Sequence, residues 1–171
     1  MKLDRGQPNR GRKQRGRVLR HPAGWIATGF GSGLSPIAPG TAGSLAAVLP
    51  WLALRELQWP LYLIVVAAAF ALGVWACSWL VRELRIDDPA AAVWDEFVGL
   101  WIALLPLLWV GARLWHVVAG FILFRIFDIA KPWPVSWADR RIPGGFGVML
   151  DDALAGFYAA AALVGLTYFM Q

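Results

Sequence analysis

The sequence predicts an all-α bundle embedded in a membrane, and three observations carry that prediction. Apolar residues make up 58% of the chain and charged residues 16%, against roughly 45–50% and about 25% in soluble domains. A chain of that composition cannot cover its surface with polar groups unless part of the surface faces lipid. Second, the apolar residues come in long uncharged runs, above all Gln58 to Val81, where about 20 residues suffice to cross a bilayer. Third, short polar segments carrying most of the acids punctuate those runs. The whole reads as one helical domain over residues 23–171, preceded by a basic segment over residues 1–22.

The basic segment comes first. Lys2, Arg5, Arg10, Arg12, Lys13, Arg15, Arg17 and Arg20 face a single acid, Asp4, so the net charge of +5 belongs to the tail while the rest is slightly acidic. Rich in Gly, Pro and Gln, it reads as disordered. No aromatic residue is interleaved with the charges, which argues against nucleic acid. Beside a membrane body, a cytoplasmic tail that sets topology and touches anionic lipid is expected. The order of charges and apolar residues is not that of a signal peptide.

Four apolar segments follow: Ala42–Leu54, Gln58–Val81, Phe97–Phe124 and Ala153–Gln171. All are Leu- and Ala-rich and too long for single strands, so all are expected as helices. Pro50 and Pro106 are expected at kinks or turns, and Gly111 with Arg113 at a hairpin tip.

Between them lie "GFGSGLSPIAPGTAGS" (29–44), "IDDPAAAVWDEFVG" (86–99), "FRIFDIAKPWP" (124–134) and "GGFGVMLDDALAG" (144–156). The last three hold Asp88, Asp95, Glu96, Asp128, Asp151 and Asp152, at positions read as helix ends. Carboxylates beside apolar helices are costly unless paired or bound to a cation. "WDEFVG" and "LDDALAG" echo each other, with Asp95 four residues before Gly99 and Asp152 four before Gly156. That spacing sets acid and glycine on one helix face and predicts a packed helix pair presenting carboxylates to a shared point. If the four polar segments meet, an even number of crossings must separate each from the next. Residues 97–124 would give only about 42 Å of helix, where two full passes need about 60 Å. The hairpin therefore starts early enough to include Asp95 and Glu96, or only dips into the bilayer.

Clustered oxygen ligands suit a hard cation, Mg²⁺ above all. No HExxH, Cys–His set, GxGxxG or GxxxxGK[ST] is present, which removes the common zinc and nucleotide chemistries. The single cysteine, Cys77, and His116 both sit among apolar neighbours, and His21 follows the tail without an evident partner. At helical spacing Arg125, Asp128 and Lys131 share a face, either as an ion-pair ladder or as a phosphate clamp beside a metal. The glycine-rich stretch runs into a helix start, where backbone N–H groups can meet phosphate oxygens, with Ser32, Gly33, Ser35, Gly40 and Thr41 as contributors. Close helix packing is the plainer use of the same glycines. Donors, cations and metal-binding acids together are the parts of a phosphoryl transfer to water.

The four segments, in this order and over about residues 25–160, resemble the phosphatidylglycerophosphatase A family. The resemblance implies an all-helical, Mg²⁺-dependent phosphatase of the bacterial cytoplasmic membrane, with its active site facing the cytoplasm, converting phosphatidylglycerophosphate to phosphatidylglycerol and phosphate. It marks Asp95, Glu96, Asp128, Asp151 and Asp152 as site acids, with Arg125 and Lys131 beside them. The chain departs from the family after "DP", where "AAAV" replaces the usual glycine. The expected division of labour puts Mg²⁺ on Asp95, Asp151 and Asp152 together with Glu96. Arg125 and Lys131 hold the phosphate, and Glu96 or Asp128 handles the attacking water. An aspartyl-phosphate on Asp128 or Asp95 is the covalent alternative. Three other readings are weaker: a phosphatase of a different phosphomonoester, a cation transporter using helix-end acids, and a purely structural bundle. A CDP-dependent phospholipid synthase would show a run of spaced aspartates opening on Asp-Gly, which is absent.

Overall fold

The structure is a computed structural model that describes residues 16–170; residues 1–15, most of the basic segment, and Gln171 lie outside the described residues. Within them every regular element is helical. α1 (Pro22–Ala27) and a 3-10 turn (Ser32–Leu34) lead into α2 (Pro39–Leu54), and α3 (Trp59–Leu84) returns. α4 (Trp94–Leu104) and the short α5 (Leu107–Val110) run outward, α6 (Leu114–Ala130) comes back, and α7 (Val135–Arg141) precedes the long α8 (Gly144–Phe169).

Local chemistry sets these boundaries. Pro22, Pro39 and Pro60 stand in the first turns of α1, α2 and α3, where a missing N–H costs nothing. α3 and α6 stop at Arg85 and Lys131, both left-handed with φ of 53° and 44°. Their N–H groups donate to the carbonyls of Val81 and Phe127, which ends each helix in a single αL turn. Gly111 at φ 82° closes α5, forming the expected hairpin tip, and Pro106 separates α5 from α4. Pro50 makes no turn: α2 runs on through it.

Two further boundaries differ from the sequence reading. α8 starts at Gly144, nine residues ahead of Ala153. Asp151 and Asp152 therefore stand about two turns inside a helix rather than at its mouth. Phe146, Val148 and Met149 supply apolar contacts that carry the helix through the polar-looking segment. The body also begins before residue 23. Val18 is 3% exposed, Arg17 pairs with Glu83 of α3 at 2.6 Å, and His21 stacks on Trp79 with ring centroids 4.3 Å apart. His21 thus has a partner after all, and its Nδ1 also accepts from the Ala23 N–H.

α4 is the axis of the bundle. Every residue from Trp94 to Leu104 is buried, with α8, α2, α6 and α3 packed around it. The echo between its sequence and that of α8 is a real contact. A Cβ on Gly156 would lie 2.4 Å from the Gly99 carbonyl oxygen, and one on Gly99 would lie 2.7 Å from that of Asp152. Only glycine permits this backbone approach, the usual way helices pack closely where lipid replaces water. Several polar groups in the apolar interior are matched, although Trp51 Nε1 is buried without a partner among the described residues. Trp94 Nε1 donates to Ala69 O, Trp101 Nε1 to Ala47 O, and Tyr62 OH to Trp101 O.

α3 and α8 are long and apolar enough to cross a membrane, and only 33% of the most apolar stretch of α3 is buried within the bundle. The core helix of a soluble protein would be covered; α3 instead presents Leu61, Ile64, Leu72 and Trp75 outward. The fold is that of a membrane-associated helical bundle.

Candidate active site

The alternation of directions has one consequence for chemistry. α2, α4 and α8 begin, and α3 and α6 end, at the same end of the bundle. There the polar segments close around a cavity of ≈ 150 Å³ whose lining includes Gly40, Asp88, Asp95, Glu96, Asp128, Lys131, Asp151 and Asp152. The even-crossing argument from sequence is thereby realised. It is met by the early start of α4, which takes in Asp95 and Glu96.

The acids divide into two kinds. Asp128 and Asp151 are ion-paired: Asp128 Oδ2 lies 2.7 Å from Arg125 and Asp151 Oδ2 lies 2.7 Å from Lys131. The other Asp151 oxygen accepts the Asp152 N–H at 3.0 Å. Asp95, Glu96 and Asp152 are different. Asp95 Oδ1, Glu96 Oε2 and Asp152 Oδ2 are buried with no hydrogen-bond partner among the described residues, although Glu96 Oε1 meets Arg125 at 3.4 Å. Burying carboxylate oxygens without donors is expensive, and a cation is what would offset it. Among the described residues, no three His, Cys, Asp or Glu side chains already close around one point, so the acids form an open set of acceptors. Their all-oxygen chemistry and orphaned lone pairs fit Mg²⁺.

Arg125 is the hub of the cationic side. One guanidinium nitrogen reaches Glu96, Asp128 and, at 3.4 Å, Ser44 Oγ on α2, while its Nε–H is buried and unpartnered. Lys131 does not continue an ion-pair ladder along α6. The helix has ended, and the left-handed turn swings its side chain to Asp139 of α7 and Asp151 of α8. Burial by itself would lower the Lys131 pKa, but the hydrogen bonds and charges of Asp139 and Asp151 outweigh it and raise the pKa.

The glycine-rich stretch contributes in part. Gly40 lines the cavity, and a Cβ there would fall 2.3 Å from Glu96 Oε1; one on Gly43 would fall 2.6 Å from Glu96 Oε2. These glycines make room for the Glu96 carboxylate. At the start of α2 the N–H groups of Gly40 and Thr41 precede the first intrahelical bonds; Gly40 lines the cavity, and Thr41 stands next to it outside the lining. Ser32 and Gly33 are elsewhere. Ser32 Oγ donates to Gly29 O, and the place of a Gly33 Cβ is taken by Ala91 O at 2.4 Å, so close packing is what Gly33 serves. Ser35 Oγ likewise donates locally, to Ile37 O.

The sequence reading missed two side chains. Ser44 signals itself only through its i+4 relation to Gly40, whose carbonyl its Oγ bonds at 3.0 Å. Asp139, in "WADRR", lies outside the four polar segments, and no local pattern couples it to Lys131.

The family model for phosphatidylglycerophosphatase A matches residues 25–167. The chain is 44% identical to phosphatidylglycerophosphatase A of Escherichia coli K12, over 89% of this chain and 85% of that protein. It is 40% identical to phosphatidylglycerophosphatase A of Haemophilus influenzae, over 89% and 93%. A Bacteroides thetaiotaomicron protein, provisionally named a phosphatidylinositol-3-phosphatase, is 47% identical over 78% and 86%. No solved structure matches the chain. The match spans every segment that lines the cavity, and the chain belongs to the phosphatidylglycerophosphatase A family.

Proposed function

We propose that this protein is a lipid phosphatase that hydrolyses phosphatidylglycerophosphate to phosphatidylglycerol and orthophosphate. The observation that carries the reading is the cavity itself: three buried carboxylates with unpartnered oxygens, faced by Arg125 and Lys131, at one end of a bundle with an apolar exterior. The names of the Escherichia coli and Haemophilus influenzae relatives supply the headgroup. A cation path is less well supported, because the acids gather at one end of the bundle instead of following its length.

In this reading Asp95, Glu96 and Asp152 hold Mg²⁺, with Asp151 beside them. When bound, the ion supplies a Lewis acid that neutralises phosphoryl charge and acidifies a water molecule. The remaining steps belong to the chain. Arg125 and Lys131 bind the non-bridging phosphate oxygens, and the Arg125 Nε–H offers a donor that is otherwise unused. The free N–H groups of Gly40 and Thr41 face the phosphate at the N-terminus of α2. Asp128, held by Arg125, accepts the proton of the attacking water. The water oxygen bonds to phosphorus, the P–O bond to the glycerol oxygen breaks, and that oxygen takes a proton as the alcohol leaves.

The distribution of positive charge supports a cytoplasmic active site. Arg17, Arg20, Arg82, Arg85, Arg125, Lys131, Arg140 and Arg141 belong to the cavity end, while Arg55 and Arg113 lie at the other. An excess of basic residues marks the cytoplasmic side, which makes this a multi-pass protein of the bacterial inner membrane whose basic N-terminal segment meets anionic lipid.

The test is phosphate release by the purified full-length protein in detergent, from phosphatidylglycerophosphate, a phosphatidylinositol phosphate and soluble phosphomonoesters, each with Mg²⁺ or EDTA. Preference for phosphatidylglycerophosphate that disappears in EDTA is expected. Preference for the inositol lipid would move the substrate toward that of the Bacteroides relative, and full activity in EDTA would remove the metal from the mechanism.

A further inference from the structure

A second concavity, of ≈ 390 Å³, lies on α6 outside the polar cavity and is lined by Phe121, Ile122, Arg125, Ile126, Ile129 and Ala130. Apart from Arg125 it is wholly apolar. Arg125 belongs to both places: it lines this groove, and its guanidinium carries Glu96 and Asp128 of the polar cavity. Its stem covers the boundary while its buried Nε–H remains without a partner. α2 and α6 both pack on α4 yet form no packed pair with each other. Across the gap between them reach Arg125 and the Ser44 hydroxyl it meets. The outward faces on either side, Leu45 and Leu49 of α2 and Ile122 and Ile126 of α6, are exposed and apolar.

We infer that the groove on α6 seats an acyl chain of the substrate lipid, which enters sideways from the bilayer between α2 and α6 with its phosphate turned past Arg125 into the acid cavity. The inference rests on the lipid-phosphatase reading above and assigns the part of the substrate which that reading leaves unplaced. The occupant must be amphiphilic, because the groove and the cavity share one residue and differ completely in polarity. A water-soluble phosphomonoester would use the cavity and leave the groove empty. α6 rises toward the cavity end, so the groove runs from Phe121 and Ile122, deeper in the bundle than Arg125, up to Ile129 and Ala130 beside Lys131, along the course of an acyl chain whose headgroup is at the cavity end.

The experiment fills the groove. Ile122→Trp and Ile126→Trp replace half-exposed side chains that do not line the acid cavity, so the fold and the cavity are expected to stay intact. Full-length protein is assayed in mixed micelles on long-chain phosphatidylglycerophosphate, on its short-chain analogue and on the deacylated water-soluble headgroup. The expected result is a fall of about tenfold in kcat/KM on the long-chain lipid, the loss of roughly two buried methylenes. Change on the soluble headgroup should stay within about twofold, and discrimination between long and short chains should shrink in the same proportion. Equal losses on all three substrates, or no loss on the long-chain lipid, would overturn the assignment. Wild-type protein that releases no phosphate from any lipid would instead overturn the phosphatase reading, so the two failures are distinct.

Discussion

α4 and α6 are the two arms of one hairpin, and they hold their charges in opposite ways. α4 is buried from Trp94 to Leu104 and brings Asp95 and Glu96 in with oxygens that no donor meets. α6 has an exposed face and brings Arg125 and Asp128 already paired, with Lys131 at its end fixed by acids from two other helices. The axial helix can keep costly unpaired carboxylates because packing on every side leaves them nowhere to turn. The peripheral helix keeps cations that their carboxylate partners hold in place. Rigid acids and tethered cations therefore come from different parts of the fold, joined through Gly111.

Breaking the α4 side should have the largest effect. Asp95→Asn is expected to lower phosphate release by about 10³-fold, the scale of losing a group aimed at developing charge. The melting temperature in detergent should rise or stay level, because the change relieves an unpaired buried charge. A fall in melting temperature equal to that of a core deletion would show Asp95 to be structural. Gly156→Leu tests the contact that sets α4 against α8. A side chain there meets the Gly99 carbonyl, and overpacking of this kind costs about 1–3 kcal/mol or more, read as a lower melting temperature with activity lost in parallel.

The α6 side should respond less. Arg125→Lys keeps the charge but not the planar guanidinium, whose one nitrogen reaches Glu96, Asp128 and Ser44 while its Nε–H stays unused, and a loss of about thirtyfold in kcat/KM is expected, mostly in KM. Retained KM would detach Arg125 from the phosphate. Asp139→Asn should cost only a few-fold near neutral pH, about the worth of one partly exposed ion pair, but it should change the pH profile. Lys131 has a raised pKa, so its positive charge persists into alkaline solution. Removing Asp139 lowers that pKa, and the alkaline limb of the rate profile should move to lower pH. An unmoved limb would separate Asp139 from Lys131 in function.

Much of this was legible in the sequence, for reasons that differ by residue. The all-helical membrane fold follows from long uncharged runs, and the concentration of the acids in short segments between them suggested that those segments meet. The pairing of Gly99 with Gly156 could be read because an acid–glycine interval of four is a local pattern that survives folding unchanged. The start of α8 was misjudged because "GGFGVMLDD" looks like a loop until Phe146, Val148 and Met149 find their partners. The course of Lys131 was misjudged because i+3 spacing holds only while the helix lasts, and this one stops a residue earlier. Ser44 and Asp139 were invisible because their partners lie 81 and 8 residues away, with no periodicity linking them. Gly33 and Gly40, seven residues apart in one motif, look alike in sequence; only the neighbour that each admits, Ala91 or Glu96, tells packing from site.

That all the polar segments stand at one end of the bundle gives the protein a sense of sidedness. On the multi-pass reading proposed above, a lipid whose headgroup faces the opposite leaflet meets the Arg55–Glu56 pair, Arg113 and apolar loops instead of the acid cavity, and would have to be flipped before it could be processed. Inserted in one direction into sealed vesicles, the protein should clear its substrate from one leaflet and then stall, with the remaining lipid released only when the bilayer is opened. The bundle would then act as a one-way reader of membrane asymmetry, with the supply of substrate to its own leaflet as part of its control.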